Sequence, residues 1–351
     1  MNSLNQHSSK IVCFARAEQN IAQILTDTRF AKISFRPHFK THRSIAVAEL
    51  FRKAGVGKIT VASLAMAEYF AANGWNDILI AIPANPALAT EYDELAGKID
   101  LSLLVDSPDS LSLLLHTLKN PIHFCIKADA GYGRAGIKTE KFASFFALIQ
   151  TIANSKKHSF GGIVSHFGNT YHASSEQEIV DINNNSLAKL KTLKSFLEAE
   201  TGNACFLSIG DTPSLPHYTT EMLAGVDELR AGNFVYYDMM QVALGTCRIE
   251  NIAMAFRTGI LSVYPDRSEA LVHAGAVHLS KEKCNMPDGK EGFGAVVRLL
   301  PDGSFGEVVE NCFVDRISQE HGILRCNQEF FNEFHPGDTI GVLPVHSCLV
   351  M

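Results

Sequence analysis

Four titratable side chains, Arg36, His38, Lys40 and His42, stand two residues apart in and just beyond the run ISFRPHFK (33–40). Residues at that spacing in a strand face one side, so the run predicts a basic line opposite Ile33, Phe35, Pro37 and Phe39. An exposed edge strand would show the same pattern. A lysine buried among Arg36, His42 and Arg43 is instead expected to shed its proton, because neighbouring positive charge and desolvation both disfavour an ammonium. A neutral amine condenses with an aldehyde, and that is the chemistry of a Schiff-base lysine with pyridoxal phosphate.

Other polar clusters lie at the ends of later strand-like runs: Asp129 to Gly136 with Arg134, Ser165 to Tyr171 with His166, Ser208 to Ser214 with Gly210 and Thr212, and Arg230 to Asp238 with Gly232, Asn233 and Tyr237. Glycine and hydroxyl groups suit a phosphate, since backbone N–H groups can approach it with no Cβ in the way. One such turn alone is only a turn; several at one end of one fold point to a site. Near the C-terminus, His346 and Cys348 are two apart and project from one face, as a zinc-type metal would require. A satisfied histidine beside a buried cysteine is the plain alternative.

These residues need elements to carry them. Eight short β-rich runs, beginning at residues 33, 59, 77, 101, 123, 161, 205 and 228, are separated by mostly helical patterns. That alternation predicts an α/β fold, a (β/α)8 TIM barrel, rather than an open doubly wound sheet. Beyond residue 250 closely spaced strands follow, with a hairpin turn at Pro301-Asp302-Gly303, so an all-β C-terminal domain is expected. The predicted division is 17–245 for the barrel and 246–351 for the β domain, with 1–16 joining the latter through KIVCFAR (10–16).

The net charge of −6 over 351 residues gives no reason to expect nucleic acid. The polar first ten residues lack the apolar core of a signal peptide, and no run is long enough to span a membrane, so a cytoplasmic protein is expected. Eight cysteines without a CxxC pair imply no disulfide framework. The polar turn SQEHG (318–322) is as consistent with a structural role as with contact to a second subunit, and His217, His273 and His278 have no partner legible in sequence.

RPHFKTHRS around Lys40, SHFGNTY around Tyr171, SIGDTPS around Gly210 and PVHSC at the end are together similar to the D-serine dehydratase and D-threonine aldolase group, in order over nearly the whole chain. The resemblance implies an alanine racemase-like barrel, a C-terminal β domain, a homodimer and a small D-amino acid substrate. It implies Lys40 as the Schiff-base lysine, with Arg134, His166, Tyr171 and Tyr237 around the cofactor. It also implies Gly210 to Ser214, with Thr212, and the Gly232-Asn233 turn at the phosphate. His346 and Cys348 would hold a divalent metal, zinc being expected, and Tyr171 would orient the substrate. The HxC pair looks more like the dehydratase branch, which converts D-serine to pyruvate and ammonia; the alternative is retro-aldol cleavage by a D-threonine aldolase. An amino-acid racemase is weaker for want of alanine racemase's C-terminal tyrosine motif, and a non-catalytic pyridoxal-phosphate-binding protein does not explain the β domain. Relatives are expected to continue past the point where this chain stops, three residues beyond Cys348.

Overall fold

The computed structural model describes residues 8–350. Contacts divide the chain into two compact units, Ala22–Gly232 and a second one formed by the segment up to Ile21 together with Asn233 onward.

In the first unit eight parallel strands follow one another around a barrel: Ser34–Phe35, Lys58–Val61, Asp77–Pro83, Asp100–Val105, His123–Asp129, Ser159–Val164, Leu207–Ile209 and Glu228–Leu229. All eight strands expected from the sequence are present. The last strand pairs with the first, Glu228 opposite Ser34, and a parallel bridge between His38 and Thr60 joins the first to the second. Helices Ile45–Lys53, Leu64–Ala71, Pro108–Thr117 and Glu176–Thr201 each begin on a serine cap (Ser44, Ser63, Ser107 and Ser175) whose side chain accepts the N–H three residues on. That bond satisfies one of the donors a helix start leaves free. The seventh connection carries only a 3-10 turn, Leu215–His217, leaving its loop free to shape the site.

The barrel interior is apolar in its middle, where Leu79, Leu104, Cys125 and Val164 pack together. Its N-terminal end is closed by charge. Arg36 Nη1 donates to Asp77 at 2.5 Å and its Nε to Glu228 at 3.0 Å, while Lys58 Nζ lies 2.9 Å from Glu228. Asp77, Lys58 and Glu228 are each the first residue of their strands, so Arg36 is committed to the end of the barrel opposite Lys40. The expected line of four basic groups is therefore corrected at both ends. His42 does not share a face with Lys40 either: the chain leaves the strand through a turn in which Arg43 has φ +47°, and the His42 ring packs on Phe39 at 4.4 Å and Phe51 at 5.9 Å. Strict alternation holds only while the backbone stays extended.

The second unit is an antiparallel sheet. Strands Met254–Tyr264, Glu269–Val272, Gly322–Arg325, Phe305–Ile317, Gly294–Leu299 and Thr339–Pro344 close on themselves because Met254–Tyr264 pairs with both its neighbours in that ring. Ser9–Val12 adds along Met254–Arg257. The strand-like piece starting at Lys10 is thus shorter than expected, since Phe14–Thr26 is helical. The hairpin turn lies where expected, with Gly303 at φ +83°. All eight cysteines are free. Among the described residues no helix is long and apolar enough to cross a membrane, and the signal-peptide reading falls mostly on residues 1–7, outside the described residues.

Candidate active site

Lys40 stands at the C-terminal mouth of the barrel, half-buried, immediately after the bridge that joins the first and second strands. Its backbone N–H donates to His38 Nδ1 at 3.3 Å, which puts the His38 proton on Nε2. Burial first, then the positive charges of Lys40 and Arg230, holds the His38 imidazole well below its usual range. His166, at the end of the sixth strand, donates from Nδ1 to the Gly210 carbonyl at 2.5 Å, so its Nε2 keeps a free lone pair. Burial, only partly offset by that bond, lowers its pKa to about 3, with Lys40, Lys127 and Arg134 adding to the shift. Burial thus favours the neutral form of both imidazoles.

Two basic groups hold a place at the site that the sequence reading did not give them. Lys127 belongs to the fifth strand, where alternation with Cys125 turns it inward; it is 7% exposed, and burial with Arg230 and Arg134 nearby brings its amine down to about 7. Arg230, from the eighth strand, donates to Ser208 Oγ at 2.7 Å and to the Ser165 carbonyl; burial lowers it to about 10, against the pull of Glu228. The alternation of HFCIKAD could have revealed Lys127, whereas Arg230 shows in sequence only as a charge at a strand end. Arg134 is exposed and lies over the Tyr132 ring at 5.0 Å. The Asp129 carboxylate near it is already used, accepting the Gly131 and Gly133 N–H groups at 3.0 Å. Lys40, Lys127 and Arg230 thus gather around His166 and His38; Asp129 and Asp106 act on Lys127 and Glu228 and Asp211 on Arg230, and an anionic ligand would add to that compensation.

The loop after the seventh strand is knit to the turn carrying Tyr171. Asp211, fully buried, accepts from Thr170 Oγ1 at 2.9 Å, from the Ser214 hydroxyl at 2.5 Å and from the Ser214 N–H at 3.0 Å. Burial raises its pKa to about 6 despite those bonds. Tyr171 is half-buried on this turn, and Thr212 is fully buried beside Asp211. Asn169 Oδ1 is buried with no protein partner, an acceptor that suits a ligand donor.

Gly210 and Gly232 lie just after the seventh and eighth strands, and close packing requires a glycine at both. A Cβ on Gly210 would meet the Arg230 backbone at 2.7–2.9 Å, and one on Gly232 would strike the His38 carbonyl. These glycines let adjacent strands close up at the mouth.

In the second unit, His346 Nδ1 lies 2.7 Å from Glu282 Oε2 and its imidazole also hydrogen-bonds the Cys348 thiol. Burial lowers the His346 pKa, but the bonds to Cys348 and Glu282 and the charges of Cys348 and Asp238 carry it to about 10. A histidine hydrogen-bonded to a sulfur, with a carboxylate at its Nδ1, is the donor set of a soft or borderline metal site with its supporting shell. Glu282 had no sequence signal beyond a charged turn. Asn233 sits beside the pair: its Nδ2 donates to Asp238 at 2.6 Å and Ser347 Oγ at 3.0 Å and lies 3.7 Å from Cys348 Sγ. Its side-chain donor is therefore engaged, leaving its backbone for any phosphate. Tyr237, at φ +47° and 5% exposed, starts the same loop. A second group, His273, His278 and Glu320, brings its ligand atoms within 4.8 Å. There the Gly275 N–H donates to His278 Nδ1 at 3.2 Å, so the proton stays on the nitrogen a metal would need.

Residues 12–239 match the family model of the alanine racemase N-terminal domain, and residues 253–351 match that of the serine dehydratase domain. The chain is 30% identical over 343 residues to a D-serine dehydratase of Dictyostelium discoideum, covering 90% of this chain and 84% of that one. The structure superposes on D-threo-3-hydroxyaspartate dehydratase from Delftia sp. HT23 with a TM-score of 0.85 at 26% identity, covering 99% and 92% of the two chains. A cysteine-to-alanine variant of a D-threo-3-hydroxyaspartate dehydratase in its metal-free form also gives a TM-score of 0.85 at 26% identity, with 97% and 91% covered.

Proposed function

Because the chain belongs to the family that joins an alanine racemase N-terminal domain to a serine dehydratase domain, we propose that it is a pyridoxal-phosphate-dependent lyase. It takes a D-β-hydroxy amino acid, D-serine in the first instance, to a 2-oxo acid and ammonia. The observation that carries this reading is the barrel mouth, where one lysine amine stands near two imidazoles that burial keeps from protonating, with Lys127 and Arg230 close by.

The residues present fit the cofactor. Its phosphate is an anion suited to the positive charge of Lys127 and Arg230, and the half-buried Asn169 offers an acceptor to a polar group. When bound, pyridoxal phosphate supplies an aldehyde for Lys40 and a conjugated ring that holds the electron pair left at the substrate's Cα. Lys40 Nζ is the atom assigned to take the α proton, being the amine beside His38 and His166. His166 Nε2, unprotonated and fixed by the Gly210 carbonyl, can accept a hydrogen bond from that amine and aim its lone pair. Tyr171 is assigned to substrate orientation, with Asp211 and Thr170 holding its turn.

His346 and Cys348 would hold the divalent metal, zinc by the chemistry of the donors, and Glu282 would fix the imidazole. A Lewis acid of this kind turns the β-hydroxyl into a competent leaving group. The proposed assembly is a cytoplasmic homodimer, which light scattering would test. Incubation with D-serine, D-threo-3-hydroxyaspartate and D-threonine tests the reaction. Ammonia and a 2-oxo acid in equal amounts are expected; glycine with an aldehyde would replace this reading by retro-aldol cleavage.

A further inference from the structure

Two of the eight free cysteines, Cys312 and Cys326, are hydrogen-bonded to each other in the antiparallel unit and are not among the residues assigned to the reaction. Phe313 pairs with Arg325 and Val314 with Leu324, so one step further along the same register puts Cys312 opposite Cys326. Directly opposed residues of antiparallel strands point to the same face with Cα atoms about 4.5–5.5 Å apart. That separation lies inside the roughly 4.4–6.8 Å that a disulfide spans. Both residues are buried, at 3% and 4% exposure. Cys312 nevertheless lines a cavity of about 330 Å³, together with Met286, Val309 and Phe313, which brings a small solute up to this residue.

We propose that Cys312 and Cys326 are a peroxide-responsive thiol pair that closes reversibly to a disulfide, with Cys312 as the attacking sulfur. In the first step the Cys312 thiolate attacks one oxygen of a hydroperoxide, here hydrogen peroxide, and the O–O bond breaks. The sulfur becomes a sulfenic acid, and the departing hydroxide leaves as water on taking a proton. The Cys326 sulfur then attacks the Cys312 sulfur, the S–O bond breaks, and a second water leaves as the disulfide forms. Two thiols are oxidised by two electrons, and one peroxide is reduced to two waters.

The division of labour follows the cavity. Cys312 lines it and Cys326 does not, so a peroxide entering there meets Cys312 first. The two thiols are hydrogen-bonded to each other, and the Asn327 backbone N–H also donates to the Cys312 sulfur, a contact that favours its thiolate, the reactive form. The closed disulfide would tether the two strands of a hairpin whose tip carries Glu320 beside His273 and His278.

The experiment uses the full chain, reduced and then exposed to hydrogen peroxide. Remaining thiols are alkylated under denaturing conditions before peptide mapping without reductant. The expected result is a linked peptide pair containing Cys312 and Cys326, two hydrogens lighter than its parts and released by dithiothreitol. A Cys326→Ser variant, with wild-type circular dichroism, is expected to stop at the sulfenic acid and to label with dimedone at Cys312. Recovery of both residues as alkylated free thiols, at a peroxide dose that oxidises other cysteines of the chain, overturns the proposal. So does linkage of either one to a third cysteine. If the variant does not fold, the wild-type map alone decides.

Discussion

Replacing Gly210 by alanine separates two reasons for a glycine at the barrel mouth. Its φ lies outside the left-handed region, so alanine meets no conformational objection, and the lost freedom of the unfolded chain would by itself stabilise by about 0.4–1 kcal/mol. The new Cβ, however, would lie 2.7 Å from the Arg230 carbonyl carbon and 2.8 Å from its nitrogen. Backbone atoms paired in a strand give way less readily than a side-chain tip, which places the overpacking near the upper end of about 1–3 kcal/mol. The net loss is about 2 kcal/mol, or roughly 4–8 °C in Tm for a unit of this size. The assay is thermal unfolding of cofactor-free protein, with Gly57→Ala as the control. Gly57 lies in the same unit with nothing within 4 Å of its Cβ position, and its alanine variant is expected to hold or raise Tm. A Gly210→Ala protein with wild-type Tm when cofactor-free, but weakened pyridoxal phosphate binding, would refute the strand-packing argument and favour a role at the phosphate.

Lys40→Ala is expected to abolish turnover and the visible absorption of an imine-linked cofactor, measured by spectroscopy after reconstitution; retention of that band would move the attachment to another amine. Glu282→Gln is expected to weaken metal binding about 10–100-fold by loosening His346, measured by competition with a chelating dye, while cofactor absorbance stays unchanged. For Asp211 the folded pKa is raised to about 6 from 3.8, so its contribution to stability is complete below about 4 and is lost as pH rises through 6. That difference between the folded and unfolded carboxyl corresponds to about 3 kcal/mol, and Asp211→Asn should flatten this part of the stability curve in urea titrations from about pH 4 to about pH 7.

Much of the barrel was legible because its strands are short, apolar and regularly spaced, and because the serine caps mark where helices begin. Alternation read the first strand correctly from Ser34 to Phe39 but could not see the turn at Arg43 that sends His42 into the aromatic layer. Nor could it tell which end of a barrel a charged side chain serves. Arg36 belongs with Asp77 and Glu228 because those residues begin their strands, a relation fixed by register between segments some forty and two hundred residues apart. The HxC spacing brought His346 and Cys348 to notice, whereas Glu282 meets them only through folding of the β unit. Lys127 passed unmarked although it alternates with Cys125, because a lone lysine in an apolar strand belongs to no motif; its burial shows only in the folded barrel.

The seam of the barrel has a consequence for how the protein is made. The strand before Lys40 is held on one side by Glu228 and Leu229, whose residues leave the ribosome nearly two hundred positions later. Until that final stave arrives, the strand has a neighbour at Thr60 but the amine has no finished rim to sit in. Such long-range closure is slow relative to local folding. The nascent chain should therefore remain blind to its coenzyme through most of synthesis and acquire colour only late, when its last parallel segment clicks shut against its first.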